Sequence, residues 1–414
     1  NRTKPKKAKP DVALIPVEDA LTSVLHEVTP LPAETVALDA AYRRVLAADL
    51  AARRTVPSSD VSAMDGYAVR GADVMDAPAR LKVVGEVAAG HPNAHVVQSL
   101  EALRIFTGGV MPQGADTVVI QENTIRRDDW VIVNEAARKG QNVRRAGNDF
   151  REGDFLLRKG RRLNARDLAL AATMNHADVP VHRRPLIALL ATGDELVKPG
   201  GALKPGAVIH SNAYALSAMI SADGGQVQDC GIVSDTLEAT RQAIRNADAT
   251  GADVLVTSGG ASVGDHDWVG RALEAEGFQM GFWKVAMRPG KPVMFGRRGA
   301  LRVIGLPGNP VSSFVCATLF LAPLVRALAG RSDIRPLTQT AILGADLPAN
   351  GERQDYMRAS LKTDEAGHNV ATPLSRQDSA MLSPLSQADC MIVRPVHVPA
   401  AKAGSPCVIL KLAF

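Results

Sequence analysis

The feature that most constrains the fold is a regular alternation of short apolar runs and helical patterns between residues 185 and 330. The apolar runs LIALLAT, VQDCGIV, DVLVTSG and LRVIGLP each have the length and composition of a buried strand. Strands that alternate with helices predict a doubly wound parallel sheet with helices on both faces. The intervening helices are predicted at Asn212 to Ala222, Thr236 to Ala247 and Trp268 to Glu276, and a last helix from Asn309–Pro310 to near Gly330.

The sequence on either side of this α/β domain predicts further units. Residues 11–50 and 160–184 are predicted to form a helical N-terminal and linking unit, with helical spacing at Val17 to Leu25 and at Val36 to Leu50. Asn164 is the expected cap of a helix that reaches Asn175. Residues 51–159 carry short β-type runs such as LKVVGEV and WVIVNEA and predict a β-rich insertion domain. Residues 331–414, with AILGADL, MIVRPV and CVILKLA, predict a small C-terminal β-barrel-like domain.

The formal net charge of +5 could indicate a nucleic-acid partner. All of this excess comes from five cations before the first acid at Asp11, namely Arg2, Lys4, Lys6, Lys7 and Lys9. Residues 1–10 are therefore predicted to be a disordered basic tail. Because the rest of the chain is formally neutral, no nucleic-acid partner is expected.

Neither a membrane span nor a cysteine- or histidine-based metal site is predicted. The most apolar stretch, Val311 to Val325, is shorter than the roughly twenty residues of a span, so a buried helix is expected. The nine histidines do not cluster. Far-apart cysteines without CxxC spacing fit a reducing, cytoplasmic location, and they are Cys230, Cys316, Cys390 and Cys407.

Candidate site residues follow each predicted strand, because ligands of an open parallel sheet bind beyond the carboxyl ends of its strands. Glycines let backbone N–H groups approach an anion, and the helix predicted at Pro310 directs its N-terminal dipole toward the same rim. Acids on that rim would repel an anion unless a divalent cation lay between them, and Mg²⁺ binds through one or two carboxylates and phosphate oxygens. The residues are Thr192, Gly193 and Glu195 after the first strand, Asp235 after the second, Ser258, Gly259, Gly260, Ser262 and Asp267 after the third, and Pro307, Asn309 and Ser312 after the fourth.

A cationic loop follows this set in the chain. Lys284 precedes the stiff string RPGKP (288–292), which contains Arg288 and Lys291. These three cations could hold a second anion, with the arginine as a planar donor fork and the lysines as point charges. The alternative is a solvated basic turn. Residue types and spacing alone thus predict an α/β enzyme that acts on an anionic, phosphorylated ligand with a divalent cation.

Six strings in one order resemble the MoeA family, which is also similar to the E domain of gephyrin. They are SAMDGYAV (62–69), IFTGGVMPQGADTVVIQE (105–122), ATGDEL (191–196), SGGASVGDHDW (258–268), RPGKP (288–292) and LPGNPVS (306–312). The resemblance runs from about residue 11 to the end and implies an elongated homodimer of several subdomains. It further implies a protein that takes adenylated molybdopterin and molybdate, releases AMP and leaves molybdenum on the dithiolene sulfurs.

The resemblance also implies roles for individual residues. Glu195, Asp235 and Asp267 fall on acidic positions of the α/β rim, where they would hold Mg²⁺ and share catalysis with Asp65. Thr107 and Asp149 match functional positions of the β-rich unit, which in family members faces the α/β unit of the other subunit. The expected oxyanion ligands are Arg288, Lys291 and Ser312, with Arg358 and Ser379 from the C-terminal unit.

Four positions depart from the family pattern. Arg288 stands where many members have Lys, which keeps the charge and changes the geometry. Ala261 and Trp268 replace the more usual Val and Tyr, and Gly109 stands where Ala is common. None of these changes removes a charged functional residue.

Two other functions remain open at this point. A molybdopterin adenylyltransferase uses a similar α/β core, but it would not require the β-rich and C-terminal units. A gephyrin-like scaffold is the second alternative, and the three rim acids favour catalysis over it. An adenylyltransferase and molybdoenzymes or their chaperones are the expected partners.

Overall fold

The computed structural model describes residues 14–260 and 268–412. The predicted basic tail and the predicted site residues Ser262 and Asp267 lie outside these ranges.

The first part of the described chain contains one helix, a set of short strands and a second helix. Its elements are α1 (Val17–Leu25), β1 (Ala33–Ala37), β2 (Leu50–Ala51), β3 (Val61–Ser62), β4 (Gly66–Val69), β5 (Ala79–Val87), β6 (Glu101–Ile105), β7 (Thr117–Ile120), β8 (Thr124–Arg127), β9 (Trp130–Val133), β10 (Val143–Arg144), β11 (Phe155–Leu157), α2 (Ala165–Thr173) and β12 (Asp178–His182). The predicted helix capped by Asn164 is confirmed as α2, where Asn164 and Asp167 form a capping box.

The helix predicted at Val36 to Leu50 is wrong. This segment contains the end of β1, a 3-10 turn at Leu38–Ala40 and an irregular stretch in which Arg43 has a φ of 61°. β1 pairs antiparallel with β12 along its whole length, and Leu46 and Leu50 are buried in a core shared with α2 and β12. Tertiary pairing has therefore overridden a local helical spacing of apolar residues.

The β-rich part is built around one mixed sheet with the strand order β7-β4-β6-β5-β9-β8. Its strands contribute to two apolar clusters. Val69, Leu81 and Val131 belong to one of them, and Leu103 and Val118 belong to the other. The loops at the ends of β4 and β6 carry Asp65 and Thr107.

The α/β unit follows in the chain. Its elements are β13 (Leu186–Thr192), β14 (Leu196–Val197), β15 (Val208–Ile209), α3 (Asn212–Ala222), β16 (Gln226–Val233), α4 (Leu237–Ala249), β17 (Val254–Ser258), α5 (Trp268–Ala275), β18 (Gln279–Phe282), β19 (Met287–Arg288), β20 (Met294–Arg298), β21 (Leu301–Leu306), α6 (Pro310–Cys316), a π-helical turn (Ala317–Leu321) and α7 (Ala322–Leu328).

The central sheet has the order β16-β13-β17-β21-β20-β18. Its first four strands are parallel, which confirms the predicted parallel sheet. β20 and β18 extend it antiparallel, and neither was predicted. One face packs against α1, α3, α6 and α7 and the other against α4 and α5, so the sheet is doubly wound.

The helical segment Pro310–Leu328 has the length and mean hydropathy (1.8) of a membrane-crossing helix, but 89% of its most apolar window is buried inside the protein. Phe320 and Leu324 are completely buried in the core of the α/β unit. The prediction of a buried helix is confirmed.

The C-terminal unit is a small barrel-like sheet. Its elements are β22 (Thr338–Leu343), β23 (Gln354–Thr363), β24 (Asn369–Pro373), α8 (Leu382–Ser386), β25 (Cys390–Arg394) and β26 (Pro406–Lys411). The order β23-β24-β22-β26-β25 closes on itself through a β23–β25 pairing. β19 of the α/β unit pairs with β23, so the cationic loop is attached directly to this barrel.

Candidate functional site

The carboxyl ends of the parallel strands open into a cavity of about 1180 Å³. It lies between the α/β unit and the loop 377–382 of the C-terminal unit. Twelve predicted site residues line it, namely Thr192, Glu195, Asp235, Ser258, Gly259, Gly260, Arg288, Lys291, Pro307, Asn309, Ser312 and Ser379. A smaller cavity of about 570 Å³ beside α1, β18 and β20 contains none of the predicted residues.

The glycine-rich loop after β17 is held close to its neighbours. Gly259 has a φ of 92°, and a Cβ at this position would lie 2.5 Å from the carbonyl oxygen of Thr192. Asn212 is buried, and its Nδ2 donates to Ser258 Oγ at 3.0 Å and to the Gly308 carbonyl at 2.9 Å. One side chain at the start of α3 therefore ties the loop after β17 to the loop after β21.

Asn212 and His210 were missed as site residues. Both line the cavity and are buried. Burial lowers the pKa of His210, which favours its neutral form. In the sequence Asn212 is visible only as the predicted start of a helix, because its contacts are with residues 46 and 96 positions away.

Two of the predicted acids reach the cavity from neighbouring loops. Glu195 follows β13 and Asp235 follows β16, and the Asp235 amide donates to the Asp194 carboxylate at 3.3 Å. Gly193 lies directly beneath the carboxylate of Glu195, since an added Cβ would be 2.7 Å from Oε2. Within residues 14–260 and 268–412 there is no cluster of three or more acidic, histidine or cysteine side chains suited to a metal ion.

The cationic loop contributes Arg288 and Lys291 to the cavity wall. Arg288 Nε donates to Asp355 Oδ1 at 2.5 Å, and Nη2 donates to Oδ2 of the same carboxylate. These bonds raise the pKa of Arg288. Lys284 is not part of the cavity wall, and its carbonyl accepts a hydrogen bond from the Ile15 amide at 3.3 Å.

The C-terminal unit contributes Ser379. Asn309 Nδ2 donates to Ser379 Oγ at 3.0 Å, and the amide of Val311 donates to the Ser379 carbonyl at 3.0 Å. Ser379 thus lies at the N-terminus of α6, on the rim that the sequence predicted.

Arg358 is only 1% exposed and does not line the cavity. Its guanidinium donates to the carbonyls of Asp378, Met381 and Arg376 at 3.0 to 3.2 Å. Arg358 therefore contacts the loop that carries Ser379 and does not reach the cavity itself. A further cation that was not predicted, Arg353, does line the cavity.

The predicted residues of the β-rich unit form a separate group. Thr107 donates to one oxygen of Asp65 from both its amide and its Oγ1, each at 2.7 Å. The bond from the amide is the largest of several effects that lower the pKa of Asp65. Asp149 is exposed, with its amide bonded to the Val56 carbonyl at 3.0 Å. None of the three lines the cavity of its own chain.

The fold and the site define a class, namely a multidomain α/β enzyme whose strand ends open into a cavity completed by a barrel-like unit. Three family models match the chain: the MoeA N-terminal region, domains I and II, at residues 15–175; a probable molybdopterin binding domain at residues 188–327; and the MoeA C-terminal region, domain IV, at residues 340–412.

Full-length relatives agree with these matches. Proteins named molybdopterin molybdenumtransferase include one from Nostoc sp., 34% identical over 99% of this chain and 96% of its own length. Another, from Haemophilus influenzae, is 35% identical over 91% of this chain and 93% of its own length. A solved MoeA protein of Pyrococcus horikoshii superimposes with a TM-score of 0.81 at 30% identity, covering 97% of this chain and all of the other. The chain therefore belongs to the MoeA family, and it is a transferase of molybdenum cofactor biosynthesis.

Proposed function

We propose that this protein inserts molybdenum from molybdate into adenylated molybdopterin and releases AMP in a Mg²⁺-dependent reaction. One observation carries the proposal. A single cavity has carboxylates on its strand-end loops and has cations and hydroxyls on the cationic loop and the C-terminal unit. Such a cavity provides separate groups for a metal-bound phosphoanhydride and for a tetrahedral oxyanion.

The phosphate-bearing substrate is assigned to the glycine-rich side. The loop at Ser258, Gly259 and Gly260 and the loop at Pro307 and Gly308 line the cavity together, and glycines at such positions let phosphate oxygens approach the backbone closely. Asn212 keeps these two loops at a constant separation.

The carboxylates suit a hard divalent cation. Mg²⁺ uses one or two carboxylates together with water and phosphate oxygens, and Glu195 and Asp235 both line the cavity. We assign them, with Asp267, to this ion. When bound, the ion would neutralise charge that develops on the departing AMP.

Molybdate, the second substrate, is assigned to the part of the cavity formed by the cationic loop, the first turn of α6 and the loop that carries Ser379. A tetrahedral dianion needs several cations and hydroxyl donors together, and Arg288, Lys291, Ser312 and Ser379 line this part of the cavity. Bound there, it would lie beside the dithiolene of a molybdopterin whose phosphate occupies the glycine-rich loop.

The site is proposed to be shared in a homodimer. Asp65, Thr107 and Asp149 lie outside the cavity of their own chain. They would complete the cavity of the partner subunit. The enzyme is expected to act in the cytoplasm, without nucleic acid or membrane, to receive substrate from an adenylyltransferase and to deliver cofactor to molybdoenzymes or their chaperones.

The test is AMP release from adenylated molybdopterin, with and without molybdate and Mg²⁺. The proposal requires that release depend on both additions and be accompanied by active cofactor. If the protein instead forms adenylated molybdopterin from ATP, it is the adenylyltransferase. If it catalyses neither reaction, a gephyrin-like scaffold becomes the better explanation.

A further inference from the structure

A buried carboxylate of the C-terminal barrel holds the guanidinium of the cationic loop. Asp355 is 7% exposed, and it accepts hydrogen bonds from both Nε and Nη2 of Arg288. The side chain of Arg288 itself remains 56% exposed and lines the cavity. A buried carboxylate is thus paired with a cation that belongs to the binding site.

The backbone fixes this pair from both sides. β19 and β23 run parallel, with Arg288 opposite Asp355 and Met287 opposite Gln354. The Gln354 amide also donates to the Ala286 carbonyl at 2.9 Å. Because each partner lies on a paired strand, and because a two-point contact removes rotation of the fork, the position of the guanidinium is set by the barrel.

The pairing leaves the outer edge of the guanidinium for a ligand. Within the described ranges, Nη1 of Arg288 takes part in no hydrogen bond, and Nη2 keeps a second N–H beside the one that it donates to Asp355. A lysine at this position could not make the two-point contact, and its ammonium would be free to follow an anion. The oxyanion side of this cavity therefore has one immobile donor.

We propose that Asp355 is a positioning residue that sets the oxyanion selectivity of the site by holding Arg288 in place. The inference rests on the proposed function, since it takes the cavity to bind molybdate. Ser312 and Ser379 line the same cavity as Arg288, and a guanidinium that cannot move keeps the spacing of the donors around the oxyanion constant. A tetrahedral dianion of the fitted size then contacts all of these donors, whereas a smaller one such as sulfate loses at least one contact, so the discrimination against sulfate depends on the fixed position of Arg288.

The selectivity ratio separates this geometric effect from the effect of charge. Removing a carboxylate increases the attraction of molybdate and sulfate alike, because both are dianions. The ratio of the sulfate Kd to the molybdate Kd therefore reports the fit of the site. It is measured by calorimetric titration of the full chain with molybdate alone and with sulfate alone.

We expect Asp355→Asn to lower this ratio about five- to tenfold, which corresponds to the loss of one positioned hydrogen-bonded contact. Arg288→Lys, which leaves the buried carboxylate in place, should lower it by a similar factor even if Asp355→Asn folds poorly. Asp346→Asn, which breaks the exposed Asp346–Lys402 pair in the same unit, should leave the ratio unchanged.

A double-mutant cycle tests whether Asp355 has a purely structural role. In an Arg288→Ala background, Asp355→Asn should not change the ratio of the sulfate Kd to the molybdate Kd any further, since the guanidinium that Asp355 positions is absent. A ratio unchanged in both Asp355→Asn and Arg288→Lys would overturn the inference, and so would an equal loss with and without Arg288. If the unsubstituted protein binds neither dianion, the proposed function is itself contradicted, and this inference with it.

Discussion

The amide of Asn212 donates to the hydroxyl of Ser258 at 3.0 Å, across 46 positions of sequence. The same nitrogen donates to the Gly308 carbonyl. The two loops that we assign to phosphate binding are therefore joined by one buried side chain.

Replacing Asn212 with Ala should both destabilise the protein and reduce turnover. Loss of the amide leaves a buried hydroxyl and a carbonyl without their donor, which costs about 1–3 kcal/mol. Urea unfolding and AMP release measure the two effects. Asn246→Ala removes an exposed contact with Gln242 on α4 and should change stability by less than about 0.5 kcal/mol. Equal behaviour of the two variants would contradict the role of Asn212.

A shared site predicts recovery of activity in mixed dimers. Homodimers of Asp65→Ala and of Glu195→Ala should each be inactive. After subunit exchange the heterodimer has one site with both changes and one intact site, so about half of the original activity per dimer should return. Mixing Glu195→Ala with Asp235→Ala should restore nothing, because each site then keeps one lesion. Absence of recovery in verified Asp65/Glu195 heterodimers would refute a cross-subunit site.

Arg358→Met should uncouple the loop that carries Ser379. Three carbonyls lose their buried donor, so we expect a loss of about 2–4 kcal/mol in the free energy of unfolding. The affinity for molybdate should fall as well. The matched variant is Arg394→Met, since Arg394 is 7% exposed and donates to the carbonyls of Pro348 and Pro399 in the same unit. That variant should lose stability but retain molybdate affinity, and a similar loss of affinity in both would rule out a specific role for Arg358.

The capping box of α2 predicts a defined pH dependence. Burial raises the pKa of Asp167, but hydrogen bonds from Arg161 and the Asn164 amide outweigh it and lower the pKa below the ordinary value of 3.8. The unfolded chain then takes up the proton first as pH falls. The contribution of Asp167 to stability is therefore complete above about pH 5, begins to fall as the pH approaches the unfolded pKa, and is lost as pH falls through the lowered folded pKa.

The measurement compares the free energy of unfolding of the unsubstituted protein with that of Asp167→Asn between pH 3 and pH 7. We expect the difference between the two proteins to shrink toward acid pH. A difference that stays constant over this range would exclude Asp167 as the titrating group. Asn164→Ala should cost about 1 kcal/mol at neutral pH.

Local signals predicted the elements whose boundaries depend on neighbouring residues. α3 begins at Asn212 and ends at Ala222 as its sequence pattern predicts, and α6 begins at the proline that follows Asn309. Val36 to Leu50 has an equally helical spacing and forms no α-helix, because its residues pair with β12 and pack on α2. No property of that segment alone distinguishes the two outcomes.

The residues of the candidate site also fall into a group that could be predicted from the sequence and a group that could not. The proximity of Thr192, Glu195, Asp235 and Ser258 could be predicted from the sequence. Each lies at or just after the end of a strand of one parallel sheet, and such strands end at one edge. Asn212 and Asp355 could not, because their contacts are with residues distant in sequence. The antiparallel strand β18 was missed for a related reason, since its pattern is short and its partner β20 is needed to define it.

Residue types and their spacing thus sufficed to predict the periodic elements of the α/β unit, the glycine-rich and acidic residues on its rim, and the family. These depend on hydrophobic period, capping and strand polarity, which are local. The pairing of the barrel with β19, the contact of Asp355 with Arg288 and the position of Ser379 at the start of α6 became visible only in the folded molecule. Those contacts join segments about 70 residues apart. Their geometry follows from how whole units pack, because a buried ion pair or a shared hydrogen bond is stable only when both partners are held in place by their own surroundings.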